Sequence, residues 1–246
     1  MSLKDKVVIV TEADLAFGRE LSRQLVAAGA LVVAVGQDEQ ALLAAGEGLD
    51  GEHYFAQVVN LGEQAATAEF YQWFKQRWPR ADIVFNNPWF HPKVNFLDES
   101  PVAWDALIAR NLNSVAYLLK AVLPDMVAAN AGKIFNLGSW ARLNPTAESA
   151  VYTSARGAIA CLTKAIAQDL ASRAEQIEIH EWIPGHIKMS AEEAVGLEPS
   201  LVAGWGVKLA AGPGFTTKNC VIAGHQEWQP RQSLKAKLAG KLLFWR

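Results

Sequence analysis

Residues 6–35 read KVVIVTEADLAFGRELSRQLVAAGALVVAV, and this stretch decides the fold. The β-branched run Lys6 to Thr11 has the composition of a strand. Phe17 to Ala28 carries a helical pattern that Gly29 ends, and Leu31 to Val35 is a second strand. A strand, a helix and a strand within about thirty residues make one crossover between parallel neighbours. Working outward, Tyr54 to Val59, Ile83 to Asn86, Lys133 to Asn136, Ile177 to Trp182 and Asn219 to Ile222 supply five further strand candidates, seven in all. Short strands alternating with longer helical patterns predict an α/β chain: a Rossmann-like, doubly wound parallel sheet in a single domain over residues 1–228.

The composition agrees with such a domain. The chain has 246 residues, of which 51% are hydrophobic and 20% charged, too apolar for a disordered protein. At 26.8 kDa, folding buries roughly 70% of the unfolded chain's surface, enough to hold a core without staples. Cys161 and Cys220 make no disulfide framework, and the five histidines show no metal-ligand spacing, so no metal is expected and a reducing cytoplasm fits. The apolar run Val7 to Val10 is too short for a signal peptide or a membrane span. A net charge of −2 argues against nucleic-acid binding.

Two long helices are predicted, 102–129 with a bend near Pro124, and 150–174. The small residues around Ala155, Gly157 and Ala158 suit close helix contact, inside the chain or against a second subunit. The segment 229–246 is a separate extension. From Arg231 onward it has five Lys/Arg and no acid, and Leu234, Leu238 and Leu242 recur at helical spacing. It reads as a docked amphipathic helix, with a disordered basic tail and a membrane-surface contact as alternatives.

In a doubly wound sheet the ligand crevice lies at the carboxyl ends of the strands. Ser139 follows one strand there. Tyr152 and Arg156, at i and i+4, share one helix face. A phenol whose phenolate is stabilised by a fixed cation transfers protons near neutrality, and a serine hydroxyl orients the substrate oxygen.

With these residues placed, the chain resembles the short-chain dehydrogenase/reductase family as far as about residue 225. Ser139 and Tyr152-Thr153-Ser154-Ala155-Arg156 match the family's Ser and Tyr-x-x-x-Lys motif, with arginine in the lysine's place. Asn111 matches its catalytic asparagine, Pro184-Gly185 its Pro-Gly turn, and Asn86-Asn87 and Leu123-Pro124 also fall in register. The resemblance implies that Ser139, Tyr152, Arg156 and Asn111 form an inherited active-site cleft.

It also places a cofactor site on residues that depart from the family. The phosphate loop Thr-Gly-x-x-x-Gly-x-Gly lies on Thr11 to Gly18, where Glu12 and Ala16 replace glycines and Gly18 survives. Those glycines make a tight turn and let a helix N-terminus approach a pyrophosphate. A Glu12 carboxylate about 5 Å from a phosphate charge is repelled by roughly 3 kcal/mol at an effective dielectric near 20. Trp89 stands where a glycine leaves space after Asn86-Asn87, and Asn60 stands where an aspartate contacts adenine. Gln37 falls where NADP users carry arginine. Arginine at 156 keeps the charge beside Tyr152 but cannot share a proton as lysine does.

These departures predict a degenerate subunit that binds no nucleotide tightly. Its work would be to pair, through helices 102–129 and 150–174, with an active dehydrogenase of the same fold or with itself. Two alternatives stand beside this: an NAD- or NADP-dependent oxidoreductase with an atypical loop, and a nucleotide-free lyase resembling halohydrin dehalogenases through Ser139, Tyr152 and Arg156. Trp89, Trp140 and Trp182, near the crevice by motif position, permit a small hydrophobic or aromatic ligand.

Overall fold

A computed structural model describes residues 2–190, 192–212 and 219–228. The first half runs β1 (Val7–Thr11), α1 (Ala16–Ala27), β2 (Leu31–Gly36), α2 (Glu39–Gly46), β3 (Tyr54–Val58), α3 (Gln64–Lys75) and β4 (Ile83–Asn86). The second half runs α4 (Pro101–Ile108), α5 (Ser114–Ala129), β5 (Gly132–Leu137), α6 (Ala150–Leu170), β6 (Ile177–Ile183), α7 (Pro199–Ala211), β7 (Val221–Ala223) and β8 (Gln226–Glu227). The strands form one sheet in the order β3-β2-β1-β4-β5-β6-β7-β8, parallel except for the last pair. The order reverses between β1 and β4, so the crevice opens there, at the carboxyl ends of those two strands.

Helices cover both faces, which is why every residue of β1 is buried. Val8 and Val10 point into one core with Phe17, Leu21, Leu25 and Trp182. Val7 and Ile9 point into the other, with Val33, Phe70, Leu118 and Val122. Gly29 ends the first helix as the sequence indicates, in the left-handed region at φ 92°.

Three expectations change. The sheet has eight strands rather than seven, because Gly224 takes φ 61° and turns the chain back so that the two-residue β8 pairs antiparallel with β7. The long helix is interrupted well before Pro124, at a π-helical turn over Ala109–Asn113, while Pro124 is carried inside α5. Asn111 explains the wider turn. Its side chain donates to the Leu107 carbonyl at 3.1 Å and the Phe90 carbonyl at 2.8 Å, and accepts from the Phe90 N–H. Trp182, placed near the crevice by motif position, is fully buried core, with its indole N–H on the Gly224 carbonyl.

The run Pro101–Ala129 is long and apolar enough to cross a membrane by length and composition. Its Val115, Leu118, Leu119, Val122 and Met126 are buried against the sheet, while most of the apolar stretch is not buried within the chain. The basic extension 229–246 lies outside the described residues.

Candidate functional site

The carboxyl end of β5 delivers Gly138 and Ser139, and the first turns of α6 deliver Tyr152. Both Ser139 and Tyr152 line one cleft of about 1150 Å³, with Trp89, Phe90, His91, Trp140 and His186 among its walls. The Ser139 hydroxyl caps a short helical turn, Trp140–Arg142, by accepting the Ala141 N–H at 3.1 Å. Tyr152 is held by ring contacts: the His91 imidazole stacks on it with centroids 4.3 Å apart, and Trp89 meets it edge-on at 6.5 Å. Trp89 therefore forms a wall of the cleft beside Tyr152.

Arg156 lies beneath this group and is fully buried. Its guanidinium sits over the Tyr152 ring at 4.7 Å and donates to the Leu137 carbonyl at 2.9 Å and to the Pro88 carbonyl. Arginine suits the place because its planar fork reaches both carbonyls at once. These bonds tie the ends of β4 and β5 to α6. A second buried chain does the same: Asn86 donates to Asn136, Asn136 to Thr163, and Thr163 to the Ile159 carbonyl. Asn111 is buried in its π-helical turn and fixes the segment that carries Trp89 and His91.

A neighbouring groove runs along Thr11, Glu12, Gly36, Gln37, Asn86, Pro88 and Arg110. Its β1–α1 loop keeps the backbone that glycine would give, because Glu12 itself adopts a left-handed φ of 50°. Gly18 is required: a Cβ there would stand 2.2 Å from the Glu12 carbonyl oxygen. The Glu12 carboxylate pairs with Arg110 at 2.7 Å, and Arg110 also covers the Phe90 ring at 4.3 Å. Burial pushes the Glu12 carboxyl above its ordinary range, and Arg110 works against that shift. The carboxylate thus has its own cation, which removes the basis for the expected repulsion of a phosphate. Arg110 borders both the groove and the cleft.

Asn60 is not brought into the groove; it is exposed and bonds Glu63 and the Gly62 N–H at the entry to α3. Ala16 opens α1, whose cap residue Leu15 makes no side-chain bond to the helix. Asp14, which sequence reasoning missed, is buried and accepts the N–H groups of Gln37 and Asp38 at 2.8 and 3.0 Å. His91 was missed as well, although it lies only a few residues beyond Asn86-Asn87. Among the described residues no cluster of His, Cys, Asp and Glu has the makings of a metal site.

The groove encloses only about 10 Å³ of free space, so a nucleotide would need its walls, the Glu12–Arg110 pair among them, to move apart; some of its residues nevertheless favour one. Gly18 lets the Glu12 backbone pack closely on the start of α1, and the N-terminal N–H groups of a helix favour an anion. The buried acceptor Asn86 Oδ1, on a residue that lines the groove, has no hydrogen-bond partner among the described residues.

A family profile described as short chain dehydrogenase matches residues 6–198. An uncharacterized oxidoreductase of Staphylococcus saprophyticus is 26% identical over 70% of this chain and 74% of its own length. A 3-oxoacyl-[acyl-carrier-protein] reductase of Salmonella typhimurium is 27% identical over 79% of each chain. A solved metagenomic short-chain oxidoreductase in complex with NADP superposes with a TM-score of 0.79, at 28% identity, over 91% of this chain and 99% of its own. That complex overturns the expectation that a chain of this kind binds no nucleotide tightly. The neutralised Glu12 and its glycine-like backbone give the physical reason the expectation fails. With the match covering most of the sheet and both hydroxyl-bearing residues of the cleft, this chain belongs to the short-chain dehydrogenase family of oxidoreductases.

Proposed function

We propose that this protein is a nicotinamide-nucleotide-dependent oxidoreductase interconverting an alcohol and a carbonyl compound. The observation that carries the reading is that Ser139 and Tyr152 line one cleft immediately beside the groove at Thr11, Gly36 and Asn86. The nucleotide, when bound, supplies or accepts the hydride. The α1 N-terminus would face its phosphates while Arg110 keeps the Glu12 carboxylate paired beside them, and Asn86 Oδ1 would accept from its donors. Tyr152 exchanges a proton with the reacting oxygen, Ser139 orients that oxygen, and Arg156 fixes the tyrosine ring. Trp89, Phe90 and Trp140 give the cleft an apolar wall suited to a small hydrophobic or aromatic substrate. The test is nucleotide-linked turnover followed at 340 nm with 3-oxoacyl thioesters, 3-hydroxy acids and aryl ketones. Turnover of one of these supports the reading, and no turnover with either nucleotide across the set overturns it.

Asp14 supports a preference between the nucleotides. The 2′ position of the adenine ribose comes to the end of the second strand in this kind of sheet. Here a buried carboxylate already holds the two N–H groups at that end. A phosphate about 5 Å away at an effective dielectric near 20 would be opposed by roughly 3 kcal/mol. NADH is therefore expected to outperform NADPH by at least about 10-fold in kcat/KM, and Asp14→Asn to narrow the gap. Equal use of both by the wild-type protein would count against this.

The long helical run supports pairing with a second copy. Only 28% of the most apolar stretch within Pro101–Ala129 is buried in the chain, and a Cβ at Gly157 of α6 would meet open space. Native mass measurement at micromolar concentration is expected to give a dimer or a multiple of one. A stable monomer would end this proposal.

A further inference from the structure

We propose that Glu181 and Arg142 are positioning residues for Ser139: their ion pair fixes the turn that aims the serine hydroxyl at the reacting oxygen. This inference rests on the oxidoreductase reading above. Glu181 is a carboxylate inside the buried strand β6, with only 2% of its surface exposed. A carboxylate taken out of water is costly unless a cation meets it.

Arg142 is that cation. Its Nε donates to one carboxylate oxygen at 2.7 Å and its Nη2 to the other at 3.1 Å, a two-pronged contact. Space for the carboxylate comes from Gly138, where a Cβ would stand 2.6 Å from Glu181 Oε1. The Glu181 side chain therefore rests against the residue that precedes Ser139. Replacing a buried pair with apolar side chains is often neutral for stability, so what this pair adds is a fixed geometry.

That geometry bears on Ser139. The chain stays in the sheet as far as Gly138, whose N–H donates to the Trp182 carbonyl of β6 at 2.7 Å. It then leaves through the turn Trp140–Arg142, whose backbone bonds are local: the Arg142 N–H on the Ser139 carbonyl and the Leu143 N–H on the Trp140 carbonyl. The Arg142 side chain returns to β6, so the segment is held at Gly138 and at Arg142, with Ser139 and Ala141 between. Ser139 Oγ accepts the Ala141 N–H at 3.1 Å, which leaves its O–H to donate into the cleft it lines. The direction of that O–H follows from where Ala141 stands. The Arg142 guanidinium also lies 5.8 Å from the centre of the Trp140 ring, which Trp228 meets at 5.3 Å, so the same cation braces a wall of the cleft.

Amide hydrogen exchange in the nucleotide-free protein reads the turn directly. In Arg142→Ala the Ala141 N–H is expected to exchange at least about 10-fold faster than in the wild type, with the amides of β1 unchanged. Unchanged exchange at Ala141 overturns the proposal. Kinetics read the consequence: kcat is expected to fall about 30-fold while KM for the nucleotide stays within about 2-fold of the wild type. Arg142→Lys, which keeps the charge without the two-pronged contact, is expected to fall between them. In a Ser139→Ala background the Arg142→Ala change is expected to alter kcat by less than about 3-fold, because both act through one hydroxyl. A purely structural pair would lower kcat as much in that background as in the wild type, and that result overturns the proposal. Should Arg142→Ala fail to fold with Glu181 left unpaired, the double variant Arg142→Met, Glu181→Leu removes both charges, and the same exchange and kinetic outcomes decide. If the wild-type protein turns nothing over, the oxidoreductase reading fails, and Ala141 exchange still decides whether the pair holds the turn.

Discussion

Tyr152→Phe is expected to lower kcat/KM by about 10³-fold while shifting Tm by no more than about 2 °C. The rate effect follows from removing the hydroxyl that exchanges a proton with the reacting oxygen. The small stability effect follows from how the ring is held. The His91 stack, the edge contact with Trp89 and the Arg156 guanidinium all meet the aromatic ring, and phenylalanine reproduces that ring. Parallel kinetics and thermal melts check both halves. Retained turnover would place the proton chemistry on another residue of the cleft, and a large loss of Tm would make Tyr152 a structural residue first.

Arg156→Ala has the opposite profile: a loss of about 3 kcal/mol in stability, or about 10 °C in Tm for a domain of this size. The side chain is fully buried and donates to the Leu137 and Pro88 carbonyls at the ends of β5 and β4. Truncation leaves both carbonyls without these donors, at about 1–3 kcal/mol each, and opens a cavity under Tyr152. Relief from holding a desolvated cation offsets part of that cost. Arg156→Lys tests the geometry, because a single ammonium does not span two carbonyls as the fork does; about 1 kcal/mol of destabilisation is expected. Denaturant melts of the two variants measure the difference. If Arg156→Ala melts within about 2 °C of the wild type, the guanidinium is not the tie between strand ends that its contacts indicate.

The strands and helices were legible because their signals are short-range. Val7 to Val10, Leu31 to Val35 and Ile83 to Phe85 announce buried parallel strands by β-branching alone, and Gly29 marks its helix end by a conformation glycine favours. Ser139, Tyr152 and Asn111 were legible because their spacing along the chain is itself a pattern. The two-residue β8 and the π-helical turn at Asn111 were not, since neither is long enough to impose a period.

The sequence by itself determined the alternation of elements, the family register and the residue types available at the strand ends. Only the tertiary structure decided what those residues do. Glu12 reads as an obstacle to phosphate until folding brings it to Arg110, 98 positions away in the chain. Asp14 acquires its role only when β1 and β2 lie side by side, and His91 only when the segment after β4 closes over α6. The physical reason is that charge, burial and proton chemistry depend on neighbours in space. In a parallel sheet the neighbours of a strand end come from other crossovers, far away in sequence.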